Sequence, residues 1–123
     1  NIFFLLFRFI TFETDDASEL LNQVKIGSAT KRWQAAYELS KVLNNPKTIP
    51  TDLTFKGQMI SSYKHSINDD PLVRAYLAIA MGATGDNYYS DELIVGLNDD
   101  SRESRLASIQ AVGMVKAIKA LPQ

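Results

Sequence analysis

The residues able to carry chemistry in this chain are few, and their spacing argues against catalysis. His65 is the single histidine, and its neighbours Lys64 and Ser66 supply no second histidine or glutamate at metal-ligand spacing. The chain has no cysteine, which excludes a thiolate nucleophile, a thiolate metal site and a disulfide. We therefore expect a protein that is not an enzyme, with no catalytic residue, no metal site and no cofactor.

Two pairs of adjacent aspartates are the remaining candidates for a charged site. Asp69-Asp70 and Asp99-Asp100 each lie in a turn before a predicted helix. Neither pair has the alternating oxygen ligands and the glycine of a calcium loop. Because a carboxylate before a helix accepts hydrogen bonds from the unpaired N–H groups of the first turn, we interpret both pairs as helix caps.

The aspartate pairs belong to an internal repeat. Residues 67–74 read INDDPLVR and residues 97–105 read LNDDSRESR, so the aspartates recur after 30 residues. Three further pairs recur after 31 residues: Arg74 and Arg105, Ala80 and Ala111, and Gly82 and Gly113. Such a period predicts one supersecondary unit used more than once, whose apolar face is buried by its neighbour.

Composition limits the class of partner. The chain has 123 residues, 46% of them hydrophobic, which is typical of one ordered domain. The formal charge of −1 and the pI of about 5.8 leave no basic excess to neutralise phosphates. We therefore expect the partner to be another protein and not a nucleic acid.

Hydrophobic spacing and capping residues predict an all-α chain beyond residue 14, with at least five helices and no strand between residues 28 and 120. The first three predicted helices are a short one that Gly27 ends, one from Ser28 to about Leu43, and one from Thr51 to Asn68. The fourth is capped by Asp70 and ended by Gly85. A short helix from Ser90 to Leu97 and a helix from Asp100 to about Lys119 complete the order. The last begins with a capping box from Asp100 to Glu103.

The apolar faces of these helices follow from the same spacing. Between Leu72 and Ala83 the only charged side chain is Arg74, so this helix must be covered on several sides. Gly82 is expected to allow a neighbouring helix to approach closely. The side chains predicted to face the core elsewhere are Trp33, Ala36, Tyr37, Ser40 and Leu43, then Phe55, Met59, Ile60, Tyr63 and Ile67, and finally Leu93, Ile94 and Leu97.

The segment Asp69-Asp70-Pro71-Leu72-Val73-Arg74, followed by Ala78, Ala80, Gly82 and Gly85-Asp86, resembles the HEAT repeat, especially the short repeats of phycobilisome lyase proteins. Residues 99–113 resemble it less closely, and residues 30–40 keep only Lys31-Arg32 and Ala35-Ala36.

The resemblance implies a right-handed α-solenoid of stacked antiparallel helix pairs, with about 2.5 to 3 repeats over roughly residues 28–123. It also implies a ladder of polar pairs along the stack, in which we place Asp70 with Arg74 and Asp100 with Arg105. A chromophore lyase or another enzyme is an alternative that rests on the family analogy alone.

The favoured function is a non-catalytic scaffold or adaptor that binds another protein. The expected concave face comprises residues 51–67 and 91–98, where the candidate contact residues are Thr54, Gln58, Ser61, His65 and Glu92. Tyr88 and Tyr89 are candidate contact residues in the loop between helices, although packing of that loop is an alternative role. Trp33 is read first as a core residue and second as a partner anchor.

Residues 1–13 form a separate apolar segment before the helical domain of residues 14–123. Its first twelve residues are too short to span a bilayer as a helix. They are expected either to cap the first helix pair, to associate with a second copy, or to be the remnant of a membrane anchor if the chain is a fragment. We expect a cytoplasmic location, with membrane association through residues 1–12 as the alternative.

Overall fold

The computed structural model describes the backbone of residues 16–119 and the side chains of residues 16–116. The predicted roles of residues 1–13 lie outside the described residues. Within the described part the chain is all helical, with no strand, as the sequence predicts. The helices are α1 (Ala17–Ile26), α2 (Ala29–Val42), α3 (Leu53–His65), α4 (Pro71–Thr84), α5 (Ser90–Gly96) and α6 (Arg102–Lys119), with 3₁₀ turns at Pro46–Thr48, Ser66–Asn68 and Asn87–Tyr89.

Local capping explains most of the helix boundaries. Asp52 accepts a hydrogen bond from the backbone N–H of Phe55 at 3.0 Å, and Asp70 accepts one from Leu72 at 2.9 Å. Gly85 ends α4 in the left-handed conformation with φ of 66°, which a residue with a side chain rarely adopts. The predicted caps at Asp70 and Gly85 are confirmed, and the helix predicted from Thr51 to Asn68 begins at Leu53 and ends at His65.

The start of α6 differs in detail from the predicted capping box. The N-cap is Ser101 and not Asp100, since the Ser101 hydroxyl accepts from the N–H of Ser104 at 3.3 Å and its carbonyl accepts from the N–H of Arg105. Glu103 accepts a hydrogen bond from the Ser101 hydroxyl at 3.0 Å. The predicted capping box does not form, because with Ser101 as the N-cap Glu103 is the second residue of α6, and its carboxylate binds the Ser101 hydroxyl instead of the N-cap backbone N–H.

Helix α4 is the centre of the described structure. It makes its most extensive contacts with α6 and α2, while α1 packs on α2, α5 packs on α6, and α3 contacts α4 and α1. Gly82 allows the close approach of α6, because a Cβ at this position would lie only 2.7 Å from Cα of Ala111. The predicted burial of α4 and the predicted role of Gly82 are both confirmed.

The core includes most of the predicted apolar positions, but Tyr37, Ile67 and Ile94 are exposed. The buried arc of α2 consists of Ala35, Ala36, Leu39, Ser40 and Leu43, and Tyr37 lies beyond its edge. Ile67 is in the 3₁₀ turn that follows α3 and so leaves the spacing of that helix. No helix between residues 16 and 119 is long and apolar enough to cross a membrane.

Candidate functional site

One side of α3 presents a polar stripe to solvent. Its members are four predicted contact residues, Thr54, Gln58, Ser61 and His65, and all of them are exposed. Among residues 16–116 the side chains of Thr54, Gln58 and Ser61 make no hydrogen bond, so their polar atoms are available to a ligand. The spacing of 4, 3 and 4 residues places them along one face of the helix.

His65 is held by its own helix. Its Nδ1 lies 2.8 Å from the carbonyl oxygen of Ser61, which leaves Nε2 as the ring nitrogen free to bind elsewhere. Within the described part of the chain no group of three or more histidine, aspartate and glutamate side chains could hold a metal ion. His65 therefore offers Nε2 for a hydrogen bond at the exposed surface of α3.

A cavity of about 390 Å³ opens beside this stripe. Its lining comes from α1, α2, α3 and α4 and consists of Val24, Lys25, Arg32, Ser61, Ser62, His65, Ser66, Asp69 and Val73. Of the predicted contact residues only Ser61 and His65 reach it. Ser62 is buried, and its hydroxyl has no hydrogen-bond partner among the residues that the structure describes.

The lining of the cavity includes an ion pair between α2 and the loop before α4. Arg32 donates from Nη1 to Oδ1 of Asp69 at 2.9 Å and from Nη2 to the other carboxylate oxygen. Its Nε donates to the carbonyl of Val24 in α1 at 2.8 Å. The hydrogen bonds from Arg32 hold the pKa of Asp69 below its usual value. One guanidinium thus joins three segments of the chain.

A second ion pair has the same form and is almost fully buried. Arg74 donates from Nε to Oδ2 of Asp99 at 2.6 Å and from Nη2 to Oδ1 at 3.1 Å. Its Nη1 donates to the carbonyl of Tyr63, and the guanidinium lies 3.8 Å from the centre of the Tyr63 ring. Burial alone would raise the pKa of Asp99, but the hydrogen bonds from Arg74 and Ser104 outweigh it and lower that pKa.

These pairs correct the predicted ladder. Arg74 pairs with Asp99 and not with Asp70, whose carboxylate caps its own helix. Arg105 donates to the backbone carbonyls of Asp99 and Asp100 at 3.0 and 2.8 Å and has no salt bridge within residues 16–116. In each pair the first aspartate binds an arginine two helices earlier in the chain, Arg32 of α2 or Arg74 of α4. Of the two pairs interpreted as helix caps, only Asp70 caps its helix, and Ser101 takes that place before α6.

The loop before α5 separates the two adjacent tyrosines. Tyr89 is buried, and burial raises its pKa, whereas Tyr88 is exposed with Nζ of Lys56 5.5 Å from its ring centre. Tyr89 is therefore a core residue, and Tyr88 keeps an accessible ring.

Helices α3 and α5 are linked by an ion pair on the predicted contact surface. Glu92 is half-buried and pairs with Lys64 at 3.4 Å. Lys56 of α3 also pairs with Asp86 at 2.7 Å, in the loop before α5. The surface expected from residues 51–67 and 91–98 is therefore connected by charge pairs.

Trp33 is half-buried in a small aromatic cluster. Its ring stacks on Tyr76 with centres 6.3 Å apart, and Tyr37 meets Tyr76 edge-on at 5.2 Å. This packing supports the prediction that Trp33 is a core residue, although part of its ring stays accessible.

Sequence reasoning missed Arg32, Asp69, Asp99 and the buried hydroxyl of Ser62 as members of the site. The period of the repeat contained a signal for three of them, since Arg32, Arg74 and Arg105 are each the fourth residue of a helix. An aspartate precedes the next such helix in two of these cases.

No known protein family, curated protein or solved structure matches this chain.

Proposed function

We propose that this chain is a non-catalytic protein-binding module of the HEAT-repeat type. In this proposal the pairs α1 with α2, α3 with α4, and α5 with α6 are successive repeats of a right-handed solenoid. The proposal is supported by the repeated ion pair, in which the fourth residue of α2 or α4 binds an aspartate before α4 or α6. Equivalent links at equivalent positions are typical of stacked units.

The proposed binding surface is the polar stripe of α3 together with the cavity beside it. The observation that carries this choice is that Thr54, Gln58 and Ser61 are exposed and make no side-chain hydrogen bond within the described chain. The cavity adds Lys25 and the buried Ser62 to the same area. A protein segment bound there could fill the cavity with one side chain and form hydrogen bonds along the stripe.

Site-specific photo-crosslinking tests this surface in the source cells. A photoreactive amino acid replaces Gln58, and the matched control carries it at Asn44, an exposed residue after α2. We expect a discrete cross-linked protein from position 58 and none from position 44. The same products from both positions would contradict a defined binding face.

Affinity measurements with the purified cross-linked partner complete the test. Gln58→Lys places a long charged side chain in the stripe, and we expect it to weaken binding about tenfold or more, which is roughly 1.4 kcal/mol. Asn44→Lys adds the same charge outside the stripe and should leave the Kd within about twofold. Equal effects from the two variants would show that net charge, and not this surface, controls binding.

A further inference from the structure

Helix α6 repeats the features by which α4 binds its neighbour, but in α6 they are unoccupied within the described structure. We infer that the outer face of α6 is a docking surface for an amphipathic helix of another protein, with an acidic residue just before its first turn. This surface is separate from the stripe of α3, so the inference does not depend on the binding face proposed above.

The first feature is the arginine. Arg32 of α2 binds Asp69, which precedes α4, and Arg74 of α4 binds Asp99, which precedes α6. Arg105 occupies the equivalent position in α6, yet its hydrogen bonds come only from Nη1 and reach backbone carbonyls. Its Nε and Nη2 bind no carboxylate among residues 16–116. A carboxylate from a docked helix would complete the third pair.

The second feature is the glycine. Gly82 in α4 lies directly against Ala111 of α6, so that the two backbones approach closely. Gly113 is its equivalent in the repeat, and a Cβ at Gly113 would meet no atom within 4 Å. The backbone of α6 is therefore open to the same close approach from outside.

The third feature is exposed apolar surface beside these two residues. Leu106 and Ile109 are 52% and 57% exposed on the turns between Arg105 and Gly113. A groove of about 310 Å³ continues this surface between α5 and α6, with a lining of Asn87, Ser90, Ile94, Val112, Val115 and Lys116. Large apolar side chains at such a surface favour binding of the apolar face of a helix.

Charge and burial decide between a second copy and a different protein. Two α6 helices placed face to face would bring together Arg102, Arg105 and Lys116 of both copies, which repel one another. The helices of this chain that follow an aspartate, α1, α3, α4 and α6, already bury their apolar sides within the molecule. A helix from another protein that carries the acidic residue avoids this repulsion, and its apolar side is free to bind.

A helical peptide taken from this chain serves as the probe. A synthetic peptide of residues 97–116, stapled on its outer side, presents Asp99 and Ala111 to Arg105 and Gly113, as α6 presents them to Arg74 and Gly82. Binding to the ¹⁵N-labelled full chain is followed by NMR. We expect saturable shifts at the Gly113 amide and at Nε of Arg105, with the resonances of Gly82 unchanged.

Variants on both sides test the proposed contacts. Asp99→Asn in the peptide, or Arg105→Gln in the protein, should weaken binding about tenfold, and the two changes together should cost little more than either alone. Gly113→Leu should abolish binding by blocking the close approach. Lys47→Gln removes a positive charge from the exposed turn after α2, outside the proposed surface, and is the matched control, expected to stay within about twofold of the unaltered protein.

Three results would overturn the inference: no binding of the peptide at millimolar concentration, shifts centred on Gly82 because the peptide replaces α6, or binding that is insensitive to Asp99→Asn. The spectrum of each protein variant confirms that it is folded before titration. Because no residue of α3 is involved, these results leave the test of the α3 stripe independent.

Discussion

Substitution of Asp99 by asparagine, compared with the same change at Asp69, should show how strongly burial determines the contribution of each ion pair to the free energy of unfolding. The side chains of Arg74 and Asp99 are 5% and 6% exposed, whereas those of Arg32 and Asp69 are 22% and 27% exposed. Breaking a buried pair leaves an uncompensated charge and typically costs about 3–5 kcal/mol. A partly exposed pair is typically worth about 1 kcal/mol or less, because water replaces the lost partner.

We therefore expect Asp99→Asn to lower the free energy of unfolding by about 3 kcal/mol and Asp69→Asn by about 1 kcal/mol or less. The lower end of the range applies to Asp99→Asn because Arg74 keeps its hydrogen bond to Tyr63 and its contact with the Tyr63 ring. The measurement is urea unfolding at pH 7, with the m-value checked for constancy. Equal losses in the two variants would refute the argument from burial.

The pH dependence gives a second readout of the same pair. The pKa of Asp99 is lower in the folded state, so its contribution is fully present above the unfolded value of about 3.9 and is lost as pH falls through the folded pKa. The difference in stability between the unaltered protein and Asp99→Asn should therefore shrink below about pH 4. A difference that stays constant down to pH 2 would show that ionisation of Asp99 is not its cause.

Two further predictions concern packing and the apolar segment. Gly82→Leu should lower the free energy of unfolding by about 1–3 kcal/mol by overpacking against Ala111. Gly57→Ala, where a Cβ meets nothing within 4 Å, should stabilise α3 by about 0.5–1 kcal/mol. Thermal unfolding tests both variants, and an unchanged melting temperature for Gly82→Leu would contradict the packing argument. Deletion of residues 1–12 should lower the melting temperature if the segment caps the first helix pair, since burying each large apolar side chain is worth roughly 1.5–3 kcal/mol. An equally stable and more soluble monomer would instead favour the membrane remnant.

The sequence by itself determined which helices form and most of their ends. Asp52 and Asp70 bond to N–H groups two or three residues away, and Gly85 relieves strain at its own position. Such interactions are local, so residue type and spacing are enough to predict them. The burial of α4 was also predictable, because a helix with one charged residue between Leu72 and Ala83 must be covered by other helices.

Only the tertiary structure decided which distant groups meet. Either aspartate of each pair could in principle have bound an arginine. The choice of Asp69 and Asp99 depends on how α4 packs against α2 and how α6 packs against α4. Similarly, the adjacent residues Tyr88 and Tyr89 differ in burial because a 3₁₀ turn directs one ring inward. The cavity beside α3 is formed by segments from residue 24 to residue 73, and a contact over such a separation leaves no local pattern in the sequence.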